Sequence, residues 1–301
     1  MSHVPVIDLA GRHGPGRAAL AREIGAACES SGFFVIVGHG VPQQLIDRMF
    51  AVTNAFFRLP AKEKELVASF RRSGGTTALS MDQESPPDLC ESFGAHVTGE
   101  LSEPERARLG DYWATWKLAN DWPRNPAEFE ETWQRYLAAL TELSADLLRL
   151  SALALDLPEQ HFADRFDRHV SALVANYYYP QLEPPLPGQL RRGAHTDFGV
   201  LTVLCQENDL GGLQVRHGEG WHDVAAIPGS FVVNIGDLMA LWTGGRWQST
   251  LHRVVNPARG DTSSRLSIPF FYQPNHDAPG ETVTAGQWIA RKTVKLFGAP
   301  G

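Results

Sequence analysis

Between Val170 and Gln273 the chain runs through ALVANYYYP (172–180), GVLTVLCQ (199–206), GGLQVRHGEGWHDV (211–224), GSFVVNIGD (229–237), STLHRVV (249–255) and RLSIPFFYQ (265–273). These are six short β-rich runs, and glycine or proline separates them. Repeated short strands with turn signals between them predict an antiparallel sandwich or barrel.

Outward from that core, the period of the apolar residues changes. Residues 15–31 (PGRAALAREIGAACESS) place Leu20, Ile24 and Ala27 at helical spacing, with Gly32 as C-cap. FFVIV at Phe33–Val37 is a short apolar run closed by Gly38 and predicts a buried strand. Residues 42–59 open on a proline suited to a first helical turn and carry Leu45, Met49, Val52 and Phe56 on one stripe. Residues 60–68 read as a short charged helix and 71–87, rich in Gly, Ser and Pro, as a loop. A long amphipathic helix is expected over 126–155, with Phe129, Trp133, Leu137, Leu140, Leu147 and Leu150 near one face. Trp288–Phe297 reads as a closing helix. No linker divides the chain. The expected organisation is one compact domain: a helical region over 1–169 packed on a β-core over 170–275, with a C-terminal helix within 276–301.

Composition narrows the function. With 43% hydrophobic and 20% charged residues, the 301-residue chain is globular and not disordered. It contains no run of about 18 apolar residues, so no membrane partner is expected. MSHVPVIDLA at the N-terminus lacks the basic and apolar regions of a secretory signal. Against 34 Asp+Glu stand 27 Lys+Arg, a net charge of -7 with no basic cluster, which argues against a nucleic-acid partner. Cys28, Cys90 and Cys205 are odd in number and far apart, so they read as buried thiols in a reducing, cytoplasmic compartment. Phosphate-loop, G-x-G-x-x-G, G-x-S-x-G and H-E-x-x-H patterns do not occur. Eleven histidines and few cysteines direct any metal site to nitrogen and oxygen ligands.

Three segments carry candidate chemistry: His195-Thr196-Asp197, His252 and Arg265-Leu266-Ser267. Residues i and i+2 of a strand share a face, so His195 and Asp197 can point together, as can Arg265 and Ser267. His252, from a distant strand, would complete two imidazoles and one carboxylate, the facial triad of non-haem Fe(II) oxygenases. Such a site leaves three positions for a chelating 2-oxo acid and O2. Arg265 offers a planar fork to a far carboxylate, with the Ser267 hydroxyl beside it. Each motif alone is weak: about 0.7 chance H-x-D matches are expected for 11 histidines, and Arg-x-Ser recurs at Arg71 and Arg149. Polar residues at strand ends are the bland alternative. Order and context favour the metal site.

At this point the chain resembles the isopenicillin N synthase-like branch of the Fe(II)/2-oxoglutarate-dependent dioxygenases along nearly its whole length. The matching segments are VPVIDLA (4–10), GFFVIVGHGVP (32–42), NYYYP (176–180), AHTDFGVLTVL (194–204), GLQV (212–215), NIGDLM (234–239), LHRV (251–254) and RLSIPFF (265–271). The resemblance implies a mixed α and β fold with a double-stranded β-helix (jelly-roll) core. It implies Fe(II) on His195, Asp197 and His252, with Arg265 and Ser267 clamping 2-oxoglutarate. Asn176 and Tyr178 match an Asn-x-Tyr that contacts this co-substrate in many relatives. The stretch from His252 to Arg265, which contains PARGDTSS, is slightly longer than is common in the branch.

The function that follows is dioxygenation of a small molecule with O2, releasing succinate and CO2; hydroxylation, desaturation and cyclisation are all open outcomes. Two alternatives stand beside it: an Fe(II) oxidase that uses no 2-oxoglutarate, as isopenicillin N synthase does, and a non-catalytic jelly-roll binding module. Specialised or antibiotic metabolism is the expected setting, by analogy. The branch also suggests that Phe93 and His96, in the stretch Asp88–Val97, face the substrate. Phe198, Trp242 and Phe271 adjoin site motifs and are further candidates. His39 reads as structural, while His217, His222 and His276 read as solvated. Arg191 and Arg192 read as an exposed pair. Gly236-Asp237 reads as a tight turn whose carboxylate caps backbone amides. Oligomeric state is not encoded in any of these motifs.

Overall fold

A computed structural model describes residues 4–67, 70–72, 81, 85–97, 102–104, 107, 120–207, 210–280 and 282–297. Its larger sheet orders eight strands as β1 (Val6–Asp8), β2 (Phe33–Val37), β10 (Phe231–Ile235), β7 (Leu201–Gln206), β12 (Arg265–Tyr272), β5 (Ala172–Tyr178), β4 (Glu91–His96) and β3 (Phe70–Arg72). The smaller sheet orders β6 (Arg192–His195), β11 (His252–Val254), β8 (Leu213–His217) and β9 (Gly220–Asp223). Apart from the parallel pair β1–β2, the strand pairs are antiparallel.

Strand alternation gives the larger sheet two different faces. Leu266, Ile268, Phe270 and Tyr272 of β12 join Leu201, Val203 and Cys205 of β7 in the main core. That face packs on α1 (Arg17–Ser30), α2 (Gln43–Phe57) and α4 (Phe129–Ala154). Burying a large apolar side chain there contributes about 1.5–3 kcal/mol. The opposite face meets the smaller sheet: Phe33, Val35, Tyr178 and Val232 pack against Leu213, Val215 and Val254. Arg265, Ser267 and Phe271 lie on this inner face with their register partners Tyr178, Asn176, Gln206, Ala172 and Thr202.

All six predicted β-runs form strands, and the three longer predicted helices occur with trimmed ends. The short charged helix contracts to α3 (Ala61–Lys64), and the closing helix α6 (Ala285–Phe297) begins earlier than expected. The region expected as a helical wrap also supplies β1, β2, β3 and β4. Of these only β2 is an apolar run. β4 (ESFGAH) has little strand character of its own and is held by full pairing with β5. Most of the loop expected over 71–87 lies outside the described residues, and its start belongs to β3. Gly236-Asp237 is not a tight strand turn. It opens the helix α5 (Asp237–Trp242), and the Asp237 carboxylate accepts from Ser249 Oγ and Lys292 Nζ. Gly32, at φ +68°, turns α1 into β2; a Cβ there would lie 2.0 Å from the Gln248 carbonyl oxygen. All three cysteines are free and buried.

Candidate metal centre and its surroundings

The smaller sheet brings the first two candidate ligands together. His195 ends β6 and His252 opens β11, and the two residues are register partners with ring centroids 4.3 Å apart. Asp197 follows β6 by two residues, so its carboxylate turns to the same side. One ligand atom from each of His195, Asp197 and His252 lies within 4.8 Å of the other two. Among the described residues this is the one group of three such side chains so arranged. His252 Nε2 is 3.8 Å from Asp197 Oδ1.

Hydrogen bonds set the donor atoms. His195 Nδ1 is 2.8 Å from the Gly193 carbonyl and His252 Nδ1 is 3.1 Å from the Thr250 carbonyl. A carbonyl only accepts, so Nδ1 carries the proton in both rings and Nε2 keeps its lone pair. Burial pushes the His195 imidazole well below its usual range, and the neighbouring His252 pushes further, against Asp197. For Asp197, burial alone would raise the carboxyl. The two imidazoles and hydrogen bonds from Asn234 and Thr202 outweigh it and bring the group below its ordinary value. Both bonds fall on one oxygen: Thr202 Oγ1 donates to Oδ2 at 2.6 Å and Asn234 Nδ2 at 2.7 Å. Oδ1 is left to the cluster. Two imidazoles with Nε2 turned to the cluster and one carboxylate are a donor set suited to a divalent iron.

A second polar group lies on the inner face of the larger sheet. Arg265 is 0% exposed, its Cζ 5.2 Å from the Tyr178 ring centroid, and Nη2 donates to Gln206 Oε1 at 3.0 Å. Its Nε and Nη1, and Asn176 Oδ1, are buried without a hydrogen-bond partner. Among the described residues no carboxylate is within 4.0 Å of Arg265. A buried guanidinium with free N–H groups suits an entering carboxylate. Ser267 and Asn176 are register partners beside it. Thr202 and Gln206, which touch the metal cluster and Arg265 respectively, are four residues apart on β7, about 13 Å along the strand.

Several expectations from the sequence change here. Phe93 does not face this interior. Its ring lies among Phe56, Phe129 and Trp133 on the helix side, because β4 alternates and Phe93 pairs with Ala175 of the main core. His96 is on the inner face, in the cross-strand row of Ala172 and Phe271. Burial lowers its pKa to about 4, and its Nδ1 is buried without a partner. Trp242 stacks on Phe162 beneath Arg165 and donates to the Pro279 carbonyl. Phe198 lies next to Asp197, and its carbonyl accepts from Trp288. Arg191 and Arg192 are not an exposed pair: Arg191 is 3% exposed, and Arg192 lies against Asp88 and Cys90. His276 is buried, not solvated, under α6. His217 is exposed and His222 half-buried. His39 bridges the Gly229 carbonyl and the Val41 amide, a structural role as expected.

Thr202 and Asn234 fall within matching segments (AHTDFGVLTVL and NIGDLM) and Gln206 within a predicted β-run, yet the sequence reading assigns none of them a role. The signal that marks them is a polar residue at an inward position of an otherwise apolar strand, as in FVVNI.

Comparison with known proteins agrees with this geometry. The profile of the 2OG-Fe(II) oxygenase superfamily matches residues 169–274, and the profile described as non-haem dioxygenase in morphine synthesis N-terminal matches residues 4–125. A homoarginine-6-hydroxylase from Arabidopsis thaliana is 32% identical over 270 residues, covering 87% of this chain and 79% of its own. The validamycin A dioxygenase of Streptomyces hygroscopicus subsp. limoneus is 32% identical, covering 98% and 87%. The crystal structure of JOX2 in complex with 2OG, Fe and JA is 26% identical with a TM-score of 0.76, covering 99% and 86%.

Proposed function

This chain belongs to the 2OG-Fe(II) oxygenase superfamily, and on that premise we propose that His195, Asp197 and His252 hold its iron while Arg265, Ser267, Asn176 and Tyr178 hold its co-substrate. The chain is an Fe(II)- and 2-oxoglutarate-dependent dioxygenase acting on a small molecule. Bound Fe(II), with 2-oxoglutarate and O2, supplies the oxidising power that converts C–H to C–OH while succinate and CO2 leave. The imidazoles of His195 and His252 offer Nε2, and Thr202 with Asn234 fixes the Asp197 carboxylate so that Oδ1 faces the metal. Arg265 receives the far carboxylate of the co-substrate, with Gln206 holding its guanidinium in place.

His96, Phe271 and Phe198 line the substrate side in this reading, with hydroxylation as the outcome. The organisation follows the same reading, with a core over 170–275, the region 1–169 packed on it and a closing helix in 276–301. The free buried cysteines support a cytoplasmic location, and the net charge of -7 supports a partner other than nucleic acid. Among the described residues no helix is long and apolar enough to cross a membrane.

The observation that carries the proposal is the convergence of the three ligand atoms beside an anion-ready Arg265. The test is a substrate library scored for succinate formed per substrate lost, with product mass following. A gain of one oxygen coupled to succinate is expected. Turnover without 2-oxoglutarate would refute the co-substrate assignment. Retention of wild-type iron affinity by His252→Ala would refute the ligand set.

A further inference from the structure

A second buried guanidinium stands at the co-substrate end of the site. The Arg191 Cζ lies 5.9 Å from the Tyr178 ring centroid, and the Arg265 Cζ lies 5.2 Å from the same ring. Arg191 Nη2 donates to the Ser263 carbonyl at 2.6 Å, while its Nε is buried without a hydrogen-bond partner. Among the described residues no carboxylate is within 4.0 Å of it. Arg192, the next residue, shows the contrast: its Nε is 3.7 Å from the buried Asp88 carboxylate. Two adjacent arginines are both largely withdrawn from water, and only one has an acidic partner. Two acids act on these cations from beyond 4.0 Å, Asp261 on Arg191 and Glu207 on Arg265. Asp261 accepts from the Ser263 amide and Glu207 from the Leu266 amide.

Like charges around one phenol ring repel: burial weakens the Arg191 guanidinium's hold on its proton and Arg265 weakens it further, against Tyr178 and Asp261. Burying a charge with no carboxylate in contact is costly, and unfilled donors add to the cost. An entering carboxylate relieves both cations at once. A ligand without that carboxylate leaves both unrelieved, so the pair discriminates between ligands as well as attracting one.

We propose that Arg191 is a second cationic determinant of the co-substrate end, acting with Arg265 to select 2-oxo acids that carry a distal carboxylate over those that do not. The inference rests on Arg265 being the co-substrate clamp. Its step is binding alone, and no bond is made or broken.

Equilibrium calorimetry on protein loaded with redox-inert Mn(II) tests it. The ligands are 2-oxoglutarate and 2-oxovalerate, which has the same five carbons and no distal carboxylate. Arg191→Gln keeps a donor for the Ser263 carbonyl and removes the charge. It is expected to weaken 2-oxoglutarate about tenfold and to leave 2-oxovalerate within about twofold. Arg191→Lys, which keeps the charge, is expected to recover most of that loss. Equal loss for both ligands would assign Arg191 to holding the 255–264 segment and overturn the proposal. An unchanged 2-oxoglutarate affinity in Arg191→Gln would also overturn it. Arg265→Gln run alongside separates the two ideas. If it weakens 2-oxoglutarate while Arg191→Gln does not, the clamp stands and this inference falls. If neither variant changes the affinity, both fall.

Discussion

Asn234 gives the sharpest test of how the metal site is held. Its Nδ2 donates at 2.7 Å to Asp197 Oδ2, the oxygen that also accepts from Thr202 at 2.6 Å. Asn234→Leu keeps the volume and removes the donor. A buried hydrogen bond to a charged group contributes about 1.5–3 kcal/mol. Thr202 still holds the same oxygen, so the lower half of that range applies, or about 10- to 40-fold in metal affinity at about 1.4 kcal/mol per decade. The loss should grow on acidification, because that hydrogen bond helps keep the Asp197 carboxyl below its ordinary pKa. Anaerobic Fe(II) titration against a competing chelator measures it. Thr202→Val should behave similarly, and the double variant should lose more than the sum, since the last donor on Oδ2 then goes. Affinity within about twofold of wild type in both single variants would refute the view that these bonds aim Asp197.

Three further outcomes follow from other sites. Arg265→Lys replaces a fork with a point charge and should weaken 2-oxoglutarate about tenfold, read as the apparent affinity in succinate release; an unaltered value removes Arg265 from the clamp. Lys64 Nζ and the Glu91 carboxylate form an ion pair with side chains 8% and 7% exposed. Lys64→Met should cost about 3–5 kcal/mol in urea unfolding by taking this cation from the buried Glu91 carboxylate, and Lys64→Met with Glu91→Leu should recover most of it; no recovery would show that the pair's charge balance is not what matters. His96 is neutral in the fold down to pH about 4, whereas the unfolded chain takes up the proton near 6.5. The unfolded state therefore binds more protons below 6.5, and stability falls between 6.5 and 4. Unfolding free energies at about pH 7 and about pH 5 should differ less in His96→Gln than in wild type, and equal differences would refute the buried neutral imidazole.

The second half of the chain is legible because its strands carry their own signal. Runs such as FVVNI and RLSIPFFY are β-rich throughout, and the i, i+2 rule places His195 with Asp197 and Arg265 with Ser267 from the residue order alone. β4 is not legible. ESFGAH is half polar and holds a glycine, and it is a strand because β5 pairs along its whole length. The same tertiary cause hides Arg191 and Arg192: two adjacent arginines read as solvent-facing until Asp88, 104 residues before Arg192, supplies a buried partner for one of them. For Phe93 the strand's alternation decides the outcome: it sends the ring to the helices and leaves Ser92 and His96 on the inner side. Asp237 shows a similar limit, as Lys292 and Ser249 are far along the chain and fix its carboxylate where local turn chemistry suggests amides.

The larger sheet separates stability from chemistry by alternation alone. Odd positions of β12 carry Arg265, Ser267 and Phe271 inward, while even positions carry Leu266, Ile268, Phe270 and Tyr272 into the helix-facing core. A polar residue can thus occupy the inner face without loosening the outer one. Where the inner polar groups serve the metal site, their bonds are complete in the protein itself: Thr202 and Asn234 reach Asp197, and Gly193 and Thr250 hold the imidazoles. On the side we propose for the co-substrate, bonds are left open: Arg265 Nε and Nη1, Arg191 Nε and Asn176 Oδ1. The three open guanidinium donors are costly to the ligand-free fold and are relieved when an acceptor arrives. The metal end is therefore set in advance, whereas the clamp end draws its affinity from the ligand's own carboxylate. A co-substrate that binds only the folded chain then adds to its stability in proportion to the logarithm of its concentration over Kd.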